Sequence, residues 1–172
     1  MDAAKYSAAE ILRDGSRIEV RALKPTDGSE LQAAVGRMSD ESIHRRFFAL
    51  KRHFTEREID FYLNVDFVNH VALVAVMNVK GRELLVGGGR YIVMQPGVAE
   101  VAFSIDDPHQ GRGIGTLLVR HLALIAREAG LRELVAEVLP SNAPMLSVFK
   151  KAGLGMTTKR EGDVVLVRLR LS

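Results

Sequence analysis

Gln110-Gly111-Arg112-Gly113-Ile114-Gly115-Thr116 joins an alternating, strand-like run to an apolar run of helical period. Backbone N–H groups in the first turn of a helix lack intrahelical partners and lie at the positive end of the helix dipole, so such a junction attracts anions. Glycines let that backbone come close to a ligand and adopt conformations that other residues avoid. The chemistry on offer is the cradling of a phosphate. A flexible turn that only caps a helix uses the same residues, and on the cluster alone that reading stays open. Two other glycine-rich loops fit less well. A Walker loop ends in Gly-Lys-Ser/Thr, whereas Thr116 follows Gly115 directly. The dinucleotide fingerprint needs Gly-x-Gly-x-x-Gly inside a parallel βαβ unit, and the spacing here is Gly-x-Gly-x-Gly.

Glu100 is the second residue with chemical potential. In a strand from Ala99 to Asp106, Glu100, Ala102, Ser104 and Asp106 point one way, and Ala99, Val101, Phe103 and Ile105 the other. Glu100 lies roughly 20 Å before the strand's end at the usual rise, so an elongated anion held at the glycines could bring a reactive far end to this carboxylate. An exposed or ion-paired strand glutamate would occupy the same position.

The elements that must position these residues follow from patterning. Ser16 to Ala22 alternates and reads as a first strand, after which Pro25-Thr26-Asp27 starts a helix with Asp27 and Glu30 as a capping box. A second helix begins at Ser39-Asp40 and carries Ile43, Phe47 and Phe48, and Thr55 with Glu58 caps a third. Val71–Val79, Leu84–Met94 and Val98–Asp106 form an antiparallel meander, in which Gly87-Gly88-Gly89 marks a bulge or a close approach. A helix from about Arg112 is stopped by Gly130. Leu134–Leu139 is a strand, Asn142 and Pro144 begin a short helix through Lys151, and Leu154–Arg160 with Val164–Leu171 closes as a hairpin. The order predicts an α/β protein with a mixed sheet of about seven strands and helices on both faces.

Composition narrows the function classes. The 172 residues, 47% hydrophobic, suffice for one core, so a single domain spanning 1–172 is expected. Without cysteine there are no disulfides, thiolate metal sites or cysteine nucleophiles. His44, His53, His70, His109 and His121 show no metal-type spacing, so no metal is expected. The mixed, polar first ten residues do not read as a signal peptide, and no apolar run reaches membrane-spanning length. A cytoplasmic protein with no membrane partner is expected. The net charge of +3 is mild, with basic residues interspersed among acidic ones and only 6% aromatics, which argues against a nucleic-acid partner.

Gln110 to Gly115 resembles the Gln/Arg-x-x-Gly-x-Gly/Ala motif of the GNAT N-acetyltransferase superfamily, and its strand-to-helix setting matches too. Asn142, followed by Phe149-Lys150-Lys151-Ala152-Gly153-Leu154, resembles the superfamily's second motif, an Asn before a helix ending in Tyr-x-Lys-x-Gly-Phe. Leu12-Arg13-Asp14-Gly15, Arg45-Arg46-Phe47-Phe48, Ala99-Glu100-Val101-Ala102-Phe103 and Asn142-Ala143-Pro144-Met145 resemble the acetyltransferase domain of bacterial protein lysine acetyltransferases that modify acyl-CoA synthetases. The resemblance implies a GNAT fold with a mostly antiparallel sheet and acetyl-CoA as cosubstrate. It places the pyrophosphate on Gln110, Gly111, Arg112, Gly113, Ile114, Gly115 and Thr116, the pantetheine along Phe103, Ser104 and Ile105, and Asn142 among the binding residues. By the same resemblance Glu100 is the general base and a protein lysine, on an acyl-CoA synthetase, the acceptor. Partial burial would suit Glu100 to that role. Small amines as acceptors, or a silent acyl-CoA-binding module, are the alternatives. Phe149 departs from the motif: it stands where many members have a tyrosine that protonates the leaving thiolate, and phenylalanine has no proton to give.

Overall fold

The computed structural model describes residues 1–47 and 54–171, with Phe47 described for its backbone alone; Phe48 and His53 lie outside the described residues. Eight strands, β1 (Ser7–Ile11), β2 (Arg17–Ala22), β3 (His70–Val79), β4 (Arg82–Gln95), β5 (Val98–Ile105), β6 (Glu133–Val138), β7 (Gly155–Glu161) and β8 (Val164–Arg170), form one sheet. Its order is β1-β2-β3-β4-β5-β6-β8-β7, and all neighbours are antiparallel except β5 and β6. The helices are α1 (Gly28–Arg37), α2 (Asp40–Phe47), α3 (Glu56–Leu63), α4 (Ile114–Glu128) and α5 (Ala143–Lys151).

The expected architecture of a mostly antiparallel sheet with helices on both faces is present, with one strand more than expected. β1 escapes sequence patterning because its exposed and inward positions alternate against hydrophobicity: Ile11 is exposed and Glu10 turns inward. Backbone pairing with β2 and a side-chain chain to α4 hold it. Tyr6 Oη lies 2.5 Å from His121 Nδ1, and Glu10 Oε1 lies 2.9 Å from His121 Nε2.

Two apolar layers flank the sheet. Val71, Leu73, Ala75 and Met77 of β3 join Leu118, Leu122 and Ile125 of α4 and Phe149 of α5 in the larger core. The alternate residues Ala72, Val74 and Val76 join Leu23 and Leu85 in a smaller one, packed against Leu63 of α3. Period-two alternation of β3 between two apolar layers explains its unbroken hydrophobic run.

The starts of the first and third helices differ in mechanism. Thr55 and Glu58 form the expected capping box, Glu58 N–H donating to Thr55 Oγ1 at 3.2 Å and Thr55 N–H to Glu58 Oε1 at 3.1 Å. Asp27 does not cap α1 with Glu30. The Arg21 guanidinium grips both its carboxylate oxygens at 2.8 and 2.9 Å, and Lys24 N–H donates to Oδ2 at 2.7 Å. Burial opposes ionisation of Asp27, but the Arg21 fork and the Lys24 N–H outweigh it and hold the carboxyl below its ordinary range.

The three glycines of β4 serve both expected purposes. The β3–β4 register shifts beside Ala75 and Val76, opposite Gly87 and Leu85, which is the bulge. Gly89 faces the Phe103 ring so closely that an added Cβ would meet Phe103 Cδ1 at 2.4 Å. Gly89→Ala is therefore expected to destabilise the protein by about 1–3 kcal/mol through forced displacement of a buried ring, measured by urea unfolding; an unchanged midpoint would show that the ring moves freely.

His70, at the start of β3, is 8% exposed, and its Nε2 lies 3.0 Å from Arg90 Nη1, so it must accept that hydrogen bond and stay neutral. Burial first, and the Arg90 charge second, push its pKa down from 6.5 to about 4. The unfolded chain therefore binds this proton first, and the contribution of His70 to stability is lost as pH falls from about 6.5 toward about 4. The melting temperature is expected to decline across that window and to decline less in His70→Gln, whose amide oxygen still accepts from Arg90; equal slopes would rule out His70 as the source.

Candidate active site

β5 and β6 part company within the sheet. They pair only at Val98 with Glu133, Ala99 with Leu134 and Glu100 with Val135, whereas β5 stays paired to β4 as far as Ile105. Asp106 N–H bonds to Val86 O on the β4 side at 2.8 Å. By alternation, Ser104 and Ala102 also turn their backbone groups to β4, and Val101, Phe103 and Ile105 turn theirs into the widening gap. The gap opens into a cleft of about 970 Å³.

The glycine turn closes one end of this cleft. Gly111 and Gly113 adopt φ of 77° and 90°, a left-handed region that side chains with a Cβ disfavour. The first N–H of α4 to find a carbonyl is that of Leu117, on Gly113 O at 3.2 Å; among the described residues, those of Gly111 to Thr116 make no backbone hydrogen bond. They point their donors where the helix dipole is positive. Gly115 lies against α5, where an added Cβ would meet Val148 Cγ2 at 3.1 Å.

Every residue singled out in the sequence lines this one cleft: Glu100, Phe103, Ser104, Ile105, Gln110, Gly111, Arg112, Gly113, Ile114, Gly115, Thr116 and Asn142. Their side chains do different work. Gln110 Nε2 donates to Ile105 O at 3.1 Å and to Asp107 Oδ1 at 3.3 Å. Arg112 is turned to the β1–β2 turn, its Nε donating to Asp14 Oδ2 at 3.0 Å. Asn142 caps α5 by accepting Met145 N–H at 3.2 Å. The two polar side chains of the glycine motif thus shape the turn, and backbone donors are left to meet an anion.

Glu100 sits at the crotch of the fork, at the last paired position, and faces the side of α2 and α3. It is exposed, contrary to the partial burial expected. Arg46 of α2 and Tyr62 of α3 line the cleft with it. Burial pulls the Arg46 guanidinium below its ordinary pKa, while Tyr62 and the Glu100 charge push it back up. Phe149 is 1% exposed, its ring edge-to-face with Phe103 at 5.9 Å between centroids, so it packs beneath the fork as a core residue.

Sequence reasoning gave no role to Asp14, Ser16, Ser42 or Tyr62. Ser42 Oγ donates to Asp107 Oδ1 at 2.5 Å and so ties α2 to the turn that precedes the glycines. No spacing rule connects residues so far apart in the chain. The one sequence signal near them is the Leu12-Arg13-Asp14-Gly15 segment, whose resemblance to the protein lysine acetyltransferases carries no physical role by itself.

Residues 36–154 match the Acetyltransferase (GNAT) family. Acetyltransferase PA5475 of Pseudomonas aeruginosa is 28% identical over 155 residues, covering 90% of this chain and 82% of that protein. Acetyltransferase Pat of Mycolicibacterium smegmatis is 27% identical over 144 residues; these cover 83% of this chain but 42% of the longer relative. The crystal structure of the GNAT domain of S. lividans PAT superimposes with a TM-score of 0.86 at 36% identity, covering 95% of this chain and 96% of that domain. A match over well over half of the chain, together with near-complete overlap with a solved GNAT domain, makes this protein a member of the acetyltransferase (GNAT) family and an acyltransferase.

Proposed function

We propose that the chain, as one cytoplasmic domain over 1–172, transfers an acetyl group from acetyl-CoA to a primary amine, with a lysine of an acyl-CoA synthetase as the acceptor. The observation that carries this reading is the position of Glu100 at the strand fork, in the same cleft as the unpaired N–H groups of Gly111 to Thr116. The groups present fit the ligand. Unpaired amides at a helix start suit a pyrophosphate, and an open strand edge suits the amide-bearing pantetheine. The likeness to the GNAT domain of S. lividans PAT supports a protein acceptor, as do the segments shared with bacterial protein lysine acetyltransferases.

In this reading Glu100 takes a proton from the acceptor ammonium, directly or through water, and frees the nitrogen lone pair to attack the thioester carbonyl. N–H groups of the β5 edge at Phe103 and Ile105 receive the developing oxyanion. The C–S bond then breaks with its electron pair on sulfur, the nitrogen gives up its second proton as the amide forms, and that proton, passed through solvent, can neutralise the departing thiolate; the buried Phe149 has no proton to give. No covalent enzyme intermediate is needed.

Glu100→Gln is expected to lower kcat by roughly 10²–10⁴ while acetyl-CoA affinity, measured by calorimetry, stays within about twofold; retained turnover would remove Glu100 from the base role. Gly113→Val places a β-branched residue at φ 90° and Gly115→Val drives a side chain into Val148. Each is expected to weaken acetyl-CoA binding about tenfold or more, and unchanged affinity in both folded variants would count against the cradle. Incubation of the protein with labelled acetyl-CoA and cell lysate tests the acceptor. A labelled acyl-CoA synthetase is the expected result, and label in small molecules alone would overturn the protein acceptor.

A further inference from the structure

The glycine turn is gripped from outside by the turn that links β1 to β2. Arg112 Nε and Nη2 donate to Asp14 Oδ2 at 3.0 and 2.9 Å, and Nη2 also donates to Ser16 Oγ at 2.8 Å. Nη1 lies 2.7 Å from His109 Nδ1 and 3.8 Å from Met77 Sδ. A guanidinium has five N–H donors, and each of these has a partner, so the side chain has none left for a bound phosphate. From the same turn, Arg13 Nη2 reaches Gly111 O at 3.4 Å. The turn itself is closed by Leu12 N–H on Ser16 O at 2.8 Å and by Ser16 N–H on Asp14 Oδ1 at 2.9 Å.

We propose that Asp14 and Arg112 are positioning residues for acyl transfer: the β1–β2 turn holds the glycine turn in its anion-binding shape before the ligand arrives. This role rests on the acetyl-CoA reading above. The Ser16 backbone N–H first, then the Ser16 hydroxyl and Arg112, bring the Asp14 carboxyl down to about 2, so the ion pair is intact throughout the neutral range. Asp14 is largely solvent-facing, and an exposed ion pair adds little to global stability. Its effect is local. Gly111 and Gly113 have more conformational freedom to lose than other residues, and a turn already ordered by its neighbours does not pay that entropy when the ligand binds.

The test uses the full chain with Asp14→Ala, Arg112→Ala and the double variant, reading KM for acetyl-CoA, kcat and melting temperature. Asp14→Asn is a second probe: its side-chain oxygen still accepts from the Ser16 N–H, while an NH2 replaces the oxygen that accepts from Arg112, so both the charge and that acceptor are gone. KM is expected to rise roughly tenfold in each alanine variant and no further in the double variant, with kcat at saturation within about twofold. Melting temperatures are expected to stay within about 2 °C of the unaltered protein. Asn should raise KM in the same direction. Three results would overturn the proposal: a KM effect for Arg112→Ala with none for Asp14→Ala, which would mean direct contact of Arg112 with the ligand; effects that multiply in the double variant; or lost melting temperature with unchanged KM. If the unaltered protein binds no acetyl-CoA, the acetyl-CoA reading fails, and the positioning role falls with it.

Discussion

The separation of β5 from β6 after three paired residues is the constraint on which the site depends. A strand edge inside a protein carries donors and acceptors that must be satisfied by something. Here β4 takes one edge of β5 as far as Ile105, and the other edge is left to the cleft. Three consequences follow from that one divergence. Glu100 is fixed at the crotch by the last pair of the ladder. The glycine turn falls at the far end of the same open edge, because it follows β5 directly. Phe149 and Phe103 fill the space beneath the strands where pairing has ceased. The absence of a hydroxyl on residue 149 is compatible with that place, since the side chain there packs against rings and apolar neighbours.

Much of this was legible because periodicity survives in the elements that bury one face. β5 alternates cleanly, α4 presents a broad apolar stripe, and Asn142 and Thr55 cap the helices they were read to cap. The residues of the cleft were found together because the glycine motif and the Ala-Glu-Val-Ala segment lie on one continuous stretch of chain. What failed did so for physical reasons. β1 has its one large aliphatic residue, Ile11, outside and its carboxylate inside, so hydrophobic alternation points the wrong way. Asp27 has the right spacing for a capping box, but a guanidinium on β2 competes for the same oxygens and wins with a two-point grip. Both depend on partners remote in sequence, and local pattern contains no trace of them.

The glycine turn is braced from two directions. On one side Gln110 joins Asp107 and Ile105, and through Asp107 it joins Ser42 of α2 and Ser39 just before that helix. On the other Arg112 joins the β1–β2 turn. Motif side chains that look suited to grasp a phosphate are consumed in shaping the loop. In the proposed acetyl-CoA reading this division of labour gives a reason for the glycines themselves: with the side chains occupied, the backbone is what would approach the anion.

The unequal size of the two apolar layers has a dynamic consequence. The cluster covered by α4 and α5 buries side chains from six strands and from both of those helices, while the cluster on the face under α1 and α3 has five buried residues among those described. Free energies of local opening follow buried apolar packing, so amide exchange should be slowest behind the proposed cosubstrate end and faster on the side toward which Glu100 faces. A rigid half can hold one chemically invariant ligand in register, and a half that opens more readily can adjust to the differing surroundings of an incoming amine.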